Sequence, residues 1–139
     1  MTLPPTPVTG PQHWLLLRGT GDRPLPARVD AESLRRHSST RRPSVQRGDL
    51  AVCYASKWQT IFALVEIVGH PENDPERSRW RWRFPLRPLV VLPDLRDAPP
   101  VEAAGVFPSS LGRHSYIRLT PQQFEAAREA IAAGGEEEC

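Results

Sequence analysis

The sequence predicts an α+β fold, a small and mostly antiparallel β-barrel with flanking helices. Three stretches carry that reading. Leu50 to Ala55 and Thr60 to Val68 are apolar runs rich in β-forming residues, joined by the short polar link Ser56-Lys57-Trp58-Gln59, so they form an antiparallel pair. In the second run, Ile61, Ala63, Val65 and Ile67 fall on one face and Phe62, Leu64, Glu66 and Val68 on the other. Apart from Glu66 both faces are apolar, and a hairpin covered on both sides suits the wall of a barrel. Arg79 to Phe84 alternates arginine with Trp80, Trp82 and Phe84, the period of a strand. Finally, Thr120-Pro121-Gln122-Gln123 has capping-box spacing ahead of Phe124, Ala127 and Ile131, which share one helical face.

Taken in order, residues 1–12 are rich in proline and threonine and read as a flexible leader, with one domain over residues 13–133 and an acidic tail over 134–139. Trp14-Leu15-Leu16-Leu17 is a buried first strand that runs into the turn Gly19-Thr20-Gly21-Asp22. Arg23-Pro24 follows that Gly-x-Gly where a helix would have to open, so it is no dinucleotide fingerprint. Asp30 caps a short helix over residues 31–36, and residues 37–43 read as a polar loop. Gly48-Asp49 starts the central hairpin. Residues 69–77 are a turn-rich loop. Pro85 and Pro88 call for an edge or a bulge before Leu89-Val90-Val91-Leu92. Val101 to Ala104 is a single helical turn, Tyr116 to Leu119 a last strand, and the C-terminal helix runs to about Ala133, where Gly134 ends it.

Composition bounds the function. At 139 residues the chain suits one core, and a formal net charge of +2 excludes a histone-like polycation, so any nucleic-acid surface is a local patch. All the basic residues except Lys57 are arginines, and eight of them lie between Arg18 and Arg47 against Asp22, Asp30 and Glu32. Cys53 and Cys139 have no C-x-x-C partner, which indicates neither a disulfide framework nor a thiolate zinc site. No apolar run reaches membrane-spanning length and no signal peptide is recognisable, so the expected location is the cytoplasm, with no membrane partner. No cofactor is expected.

The Gly-Asp before a strand ending in Tyr54-Ala55-Ser56, and the second strand ending in Val65-Glu66-Ile67-Val68, resemble the EVE domain of the PUA-like superfamily. Trp14-Leu15 in the first strand, and Arg113-His114-Ser115-Tyr116-Ile117-Arg118-Leu119-Thr120 followed by Gln123-Phe124, match the same family's opening and closing elements in order and spacing. The resemblance covers most of residues 13–133. It implies a small barrel related to YTH and ASCH domains that reads a modified base in DNA or RNA. Many members carry a Trp-x-Gly-Val-Arg-Asn segment after the first helix. Here the corresponding residues are Ser38-Ser39-Thr40-Arg41-Arg42, so no tryptophan from that segment enters a pocket.

A base pocket needs a flat apolar surface for stacking and directed polar groups for the base edge. Trp58, in the link of the central hairpin, is the stacking candidate. Tyr54, Ser56, His114, Arg113, Ser39, Thr40 and Arg18 are the candidates for the remaining wall and edge contacts. Arg41, Arg42, Arg79, Arg81 and Arg83 are the candidates for backbone phosphates. The tryptophans of the alternating strand read as core. Catalysis finds little support: His13, His37, His70 and His114 are scattered, and no nucleophile elbow occurs. Three readings follow. The first is a non-enzymatic reader of a modified base. The second is a small ASCH-like hydrolase using Glu66 and Lys57, and the third is an interaction module without a ligand.

Overall fold

The computed structural model describes residues 12–19, 25–40, 42–77, 79–111 and 114–136, with side chains through residue 133. Seven strands and a C-terminal helix follow one another as β1 (His13–Arg18), β2 (Arg36–Ser39), β3 (Leu50–Ala55), β4 (Thr60–Ile67), β5 (Glu72–Asn73), β6 (Trp82–Val91), β7 (Tyr116–Leu119) and α1 (Pro121–Glu136). They form one curled sheet in the order β2-β6-β4-β3-β1-β7, with β5 added to β6. All pairings are antiparallel except β1 with β3. A parallel neighbour needs a long crossover, and the chain between β1 and β3 supplies it, carrying a 3₁₀ turn at Ala31–Leu34 and β2. Register shifts at Cys53/Tyr54 and Leu64/Val65 mark bulges, the usual means of bending a sheet toward closure. The result is a barrel-like α+β fold.

The expected hairpin is β3 and β4, and Ile61 to Val65 are all buried, so both faces of β4 are covered. One face turns into the barrel, and the strand belongs to one continuous core that also holds Leu15, Leu16, Val52 and Phe84. Over the other lie α1, through Phe124, Ala127 and Ile131, and the 3₁₀ turn Val101–Ala104. The capping box forms reciprocally: the Gln123 amide donates to Thr120 Oγ1 at 3.1 Å, and the Thr120 amide donates to Gln123 Oε1 at 2.9 Å. Asp30 likewise caps the turn at Ala31, its carboxylate accepting from the Glu32 amide.

Several expectations are corrected. Residues 36–39 are a strand, because their backbone groups pair with residues 82–85 of β6 instead of facing water. The alternating strand begins at Trp82, since Trp80 has a left-handed backbone (φ +57°) that no strand accommodates. Trp80 and Trp82 are half-buried and only Phe84 of the three enters the core. Gly134 does not end α1, which runs to Glu136. Gln12, expected in the leader, is tied down: its amide donates to Asp49 Oδ1 and its carbonyl accepts from Leu50.

Candidate functional site

A sheet this curled has two terminal strands to bring together, and here β2 and β7 meet through side chains. Arg18 projects from the end of β1 and donates to the carbonyls of Ser33 and Arg36, both at 2.6 Å, and to His37 Nδ1 at 3.0 Å. A guanidinium can only donate, so Nδ1 is the accepting nitrogen and the His37 proton sits on Nε2. Nε2–H then donates to the Ser115 carbonyl at 2.8 Å, which also accepts from the Leu17 amide. Ser115 Oγ donates to Ser39 Oγ at 3.3 Å. The chain Arg18 to His37 to Ser115 to Ser39 thus stitches β2 to the start of β7 where no backbone ladder joins them.

The electrostatics hold this seam in one protonation state. Burial, reinforced by the neighbouring Arg18 charge, holds the His37 pKa down at about 3, with the bond to Ser115 offsetting part of the effect. His37 is therefore neutral at physiological pH, as the hydrogen-bond geometry requires. Burial also lowers the Arg18 pKa below its ordinary value and pushes the nearby Cys53 thiol up to about 11, so Cys53 stays a protonated core residue. Ser39 and His37 are 1% and 5% exposed, which makes the seam part of the interior.

Directly on the seam lies a cleft of about 610 Å³ lined by Ser39, Thr40, His114, Ser115, Tyr116, Ile117 and Arg118. Four of these side chains carry hydroxyls, one an imidazole and one a guanidinium, and none is acidic. Hydroxyls both donate and accept, so the lining matches a polar ligand edge, and the absence of a carboxylate among the described lining residues suits an anion. Tyr116 contributes a half-buried ring, held edge-on against Trp14 at 5.6 Å between centroids. Trp14 is in turn fixed by donating its indole N–H to Asp49 Oδ2 at 2.9 Å.

The structure brings together Ser39, Thr40 and His114 of the candidates, with Arg18 bonded into the seam beneath them. It does not bring Trp58, Tyr54 or Ser56 into the lining. Tyr54 is buried in β3. Trp58 packs against the core and donates its indole N–H to the Leu25 carbonyl at 2.8 Å, the behaviour of a plug at the barrel end. Arg113 and Arg41 lie outside the described residues. Arg42 and Arg79 are exposed and stand over the rings of Trp82 and Trp80 at 5.7 and 5.3 Å. Arg81 is exposed, while Arg83 is half-buried and 3.8 Å from Asp74.

Arg83 and Arg36 line a second cleft, of about 450 Å³, which also holds Glu72 and Asp74 and so lacks the uniform lining of the first. A third, of about 630 Å³, is walled by Arg42, Pro43, Ser44, Val45, Gln46, His70 and Pro71, an open loop surface. Glu66 is ion-paired with Arg87, and it sits near the far end of β4 from Lys57, about 20 Å along the strand, so the two cannot share a proton-transfer site. Among the described residues no three His, Cys, Asp or Glu side chains gather as a metal would require.

The sequence reading missed His37 and the lining role of Tyr116, Ile117 and Arg118. No sequence signal marked the first: in the structure burial alternates through Arg36, His37, Ser38 and Ser39 with the period of a strand, but the inward residues are polar and leave no apolar pattern.

No protein-family model and no curated protein matches the sequence. Solved structures do resemble the fold. Rpa0253 from Rhodopseudomonas palustris aligns with a TM-score of 0.52 at 16% identity, over 92% of this chain and 96% of that one. Atu2648 from Agrobacterium tumefaciens gives 0.53 at 14% identity, over 86% and 92%. A hypothetical protein from Leishmania major gives 0.55 at 12% identity, over 93% and 98%. At such identities the likeness concerns the fold alone. No helix among the described residues is long and apolar enough to cross a membrane.

Proposed function

We propose that this chain is a PUA-like, EVE-type module that binds DNA or RNA carrying a modified base and reads that base, without catalysis, in the cleft between β2 and β7. The observation that carries the reading is the lining itself: hydroxyls of Ser39, Thr40, Ser115 and Tyr116 with His114 and Arg118, and no carboxylate among the described lining residues, above a buried seam. A flipped base presents a mixed edge of donors and acceptors beside an anionic backbone, and this lining suits both. The cleft volume is in the range of pockets that enclose small ligands. By the resemblance, Ser39 and Thr40 belong to the segment that corresponds to the tryptophan-containing segment of many EVE domains, so this wall of the cleft is more polar than the family pattern implies.

The test is a screen of oligonucleotides, each with one modified base, at two salt concentrations. One modification should be preferred, over a background that weakens with salt as phosphate contacts are lost. Replacing Thr40 and His114 together by alanine removes two edge contacts at little structural cost, as both are exposed, and should cut the preference by roughly tenfold. A preference that survives the double substitution unchanged would remove the cleft from the account.

A further inference from the structure

We infer that Trp80 and Trp82, with Arg79 and Arg42, form a stacking surface for unpaired nucleotides that leads into the cleft. The inference rests on the proposed reading and specifies its substrate class: the polymer is single-stranded where it meets the protein.

Of the four tryptophans, Trp14 and Trp58 are used internally, each with its indole N–H on a protein acceptor. Trp80 and Trp82 differ in kind. Each keeps part of its ring in solvent and each has a guanidinium over it, at 5.3 Å for Arg79 on Trp80 and 5.7 Å for Arg42 on Trp82. Such pairs put a cation for phosphate beside a ring for a base, the combination that nonspecific single-strand binders use. Arg42, Arg79 and Arg81 have no carboxylate partner among the described residues, whereas Asp74 occupies Arg83.

Placement connects this surface to the cleft. In the β2–β6 register Ser39 is directly opposite Trp82, and His37 opposite Phe84, with those two rings 5.5 Å apart. Directly opposed residues share a sheet face, so Trp82 lies on the face of Ser39, which lines the cleft. Trp80 precedes it by two residues, within about 7 Å between Cα atoms, the span of neighbouring nucleotides on an extended strand. Its φ of +57° is unfavourable for a bulky residue, and the half-exposed ring recovers little of that cost by burial. Strain retained for an exposed aromatic is what a ligand contact would explain. In a duplex the base faces are stacked on one another, so an aromatic surface has something to grip only where the strand is unpaired.

The experiment compares an unmodified single strand with a hairpin duplex of the same composition, both fluorescently labelled, by anisotropy. Wild type should bind the single strand more tightly. Trp80→Gly removes the ring and relieves the left-handed backbone, so it folds without that strain, and it should weaken single-strand binding by roughly five- to a hundred-fold with duplex binding unchanged. Trp80→Phe keeps a ring and should retain most of the affinity. Equal binding of both forms by wild type, or full single-strand affinity in both Trp80→Gly and Trp82→Ala, overturns the stacking surface. If those variants keep full affinity while the preference for a modified base persists, this inference fails alone. If wild type binds no oligonucleotide, the proposed function fails with it.

Discussion

His37 is the residue on which the site's electrostatics turn. Its pKa of about 3 in the fold lies below the roughly 6.5 of an unfolded chain, so between those values the unfolded state holds the extra proton. The stability associated with neutral His37 is therefore complete above pH 6.5 and is lost as pH falls, approaching about 1.4 kcal/mol per pH unit once the unfolded imidazole is charged. His37→Gln can still accept from Arg18 and donate to Ser115 but does not titrate. Its stability between pH 6.5 and 5, measured by denaturant melts, should fall by close to one proton's slope less than wild type, and identical slopes would contradict the buried neutral assignment. Histidine in a run of serines gives no hydrophobic signal, which is why it reads as loop in the sequence. Asp49 was hidden for a similar reason. It sits in a Gly-Asp turn, and beyond the local bond from Gln46 its role in accepting from Trp14 and Gln12 depends on residues far away in the chain.

At the scale of elements, apolar periodicity made β1, β3, β4, β7 and α1 legible, since each buries an apolar set against the same core. Elements whose inward side chains are polar, or whose partner is distant, were not legible. β2 is recognisable only through its pairing with β6, and the start of β6 only through the backbone of Trp80. Pro85 and Pro88 did announce an irregular strand: β6 leaves β2 after Pro85, pairs with β4 from Leu86 onward, and shifts register within that pairing between Pro88 and Val90. The close passage of β6 beside the end of β4 leaves a specific mark. A Cβ on Gly69 would meet Pro85 Cγ at 2.7 Å, inside contact distance, and the proline ring, closed onto its own backbone, cannot swing aside as a flexible side chain would. Gly69→Ala should thus cost about 1–3 kcal/mol by calorimetry, as overpacking does, and a thermal midpoint equal to wild type would show that β4 and β6 separate freely there.

For the molecule as a whole, the chief consequence of the fold is that its sheet curls until β2 and β7 face each other and then closes with side chains instead of a ladder. Arg18, His37, Ser115 and Ser39 supply that closure, and the cleft is the space left above it. A hydrogen-bonded closure leaves no exposed pair of strand edges at this point, yet it opens a polar concavity that a backbone ladder would have filled. Sequence could place three of the seven described lining residues, His114 through the resemblance of the closing strand and Ser39 and Thr40 through the segment that departs from it, but not the meeting of the two ends, which is a property of curvature. A nucleic-acid ligand seated in this seam cleft is what we propose. The most direct measurement is an amide chemical-shift map of ¹⁵N-labelled protein titrated with the tightest oligonucleotide from the modified-base screen. The largest shifts should fall on Ser39, Thr40 and residues 114–118, with smaller ones at Trp80 and Trp82. Shifts concentrated around Trp58 and Tyr54, with the cleft amides unmoved, would contradict it.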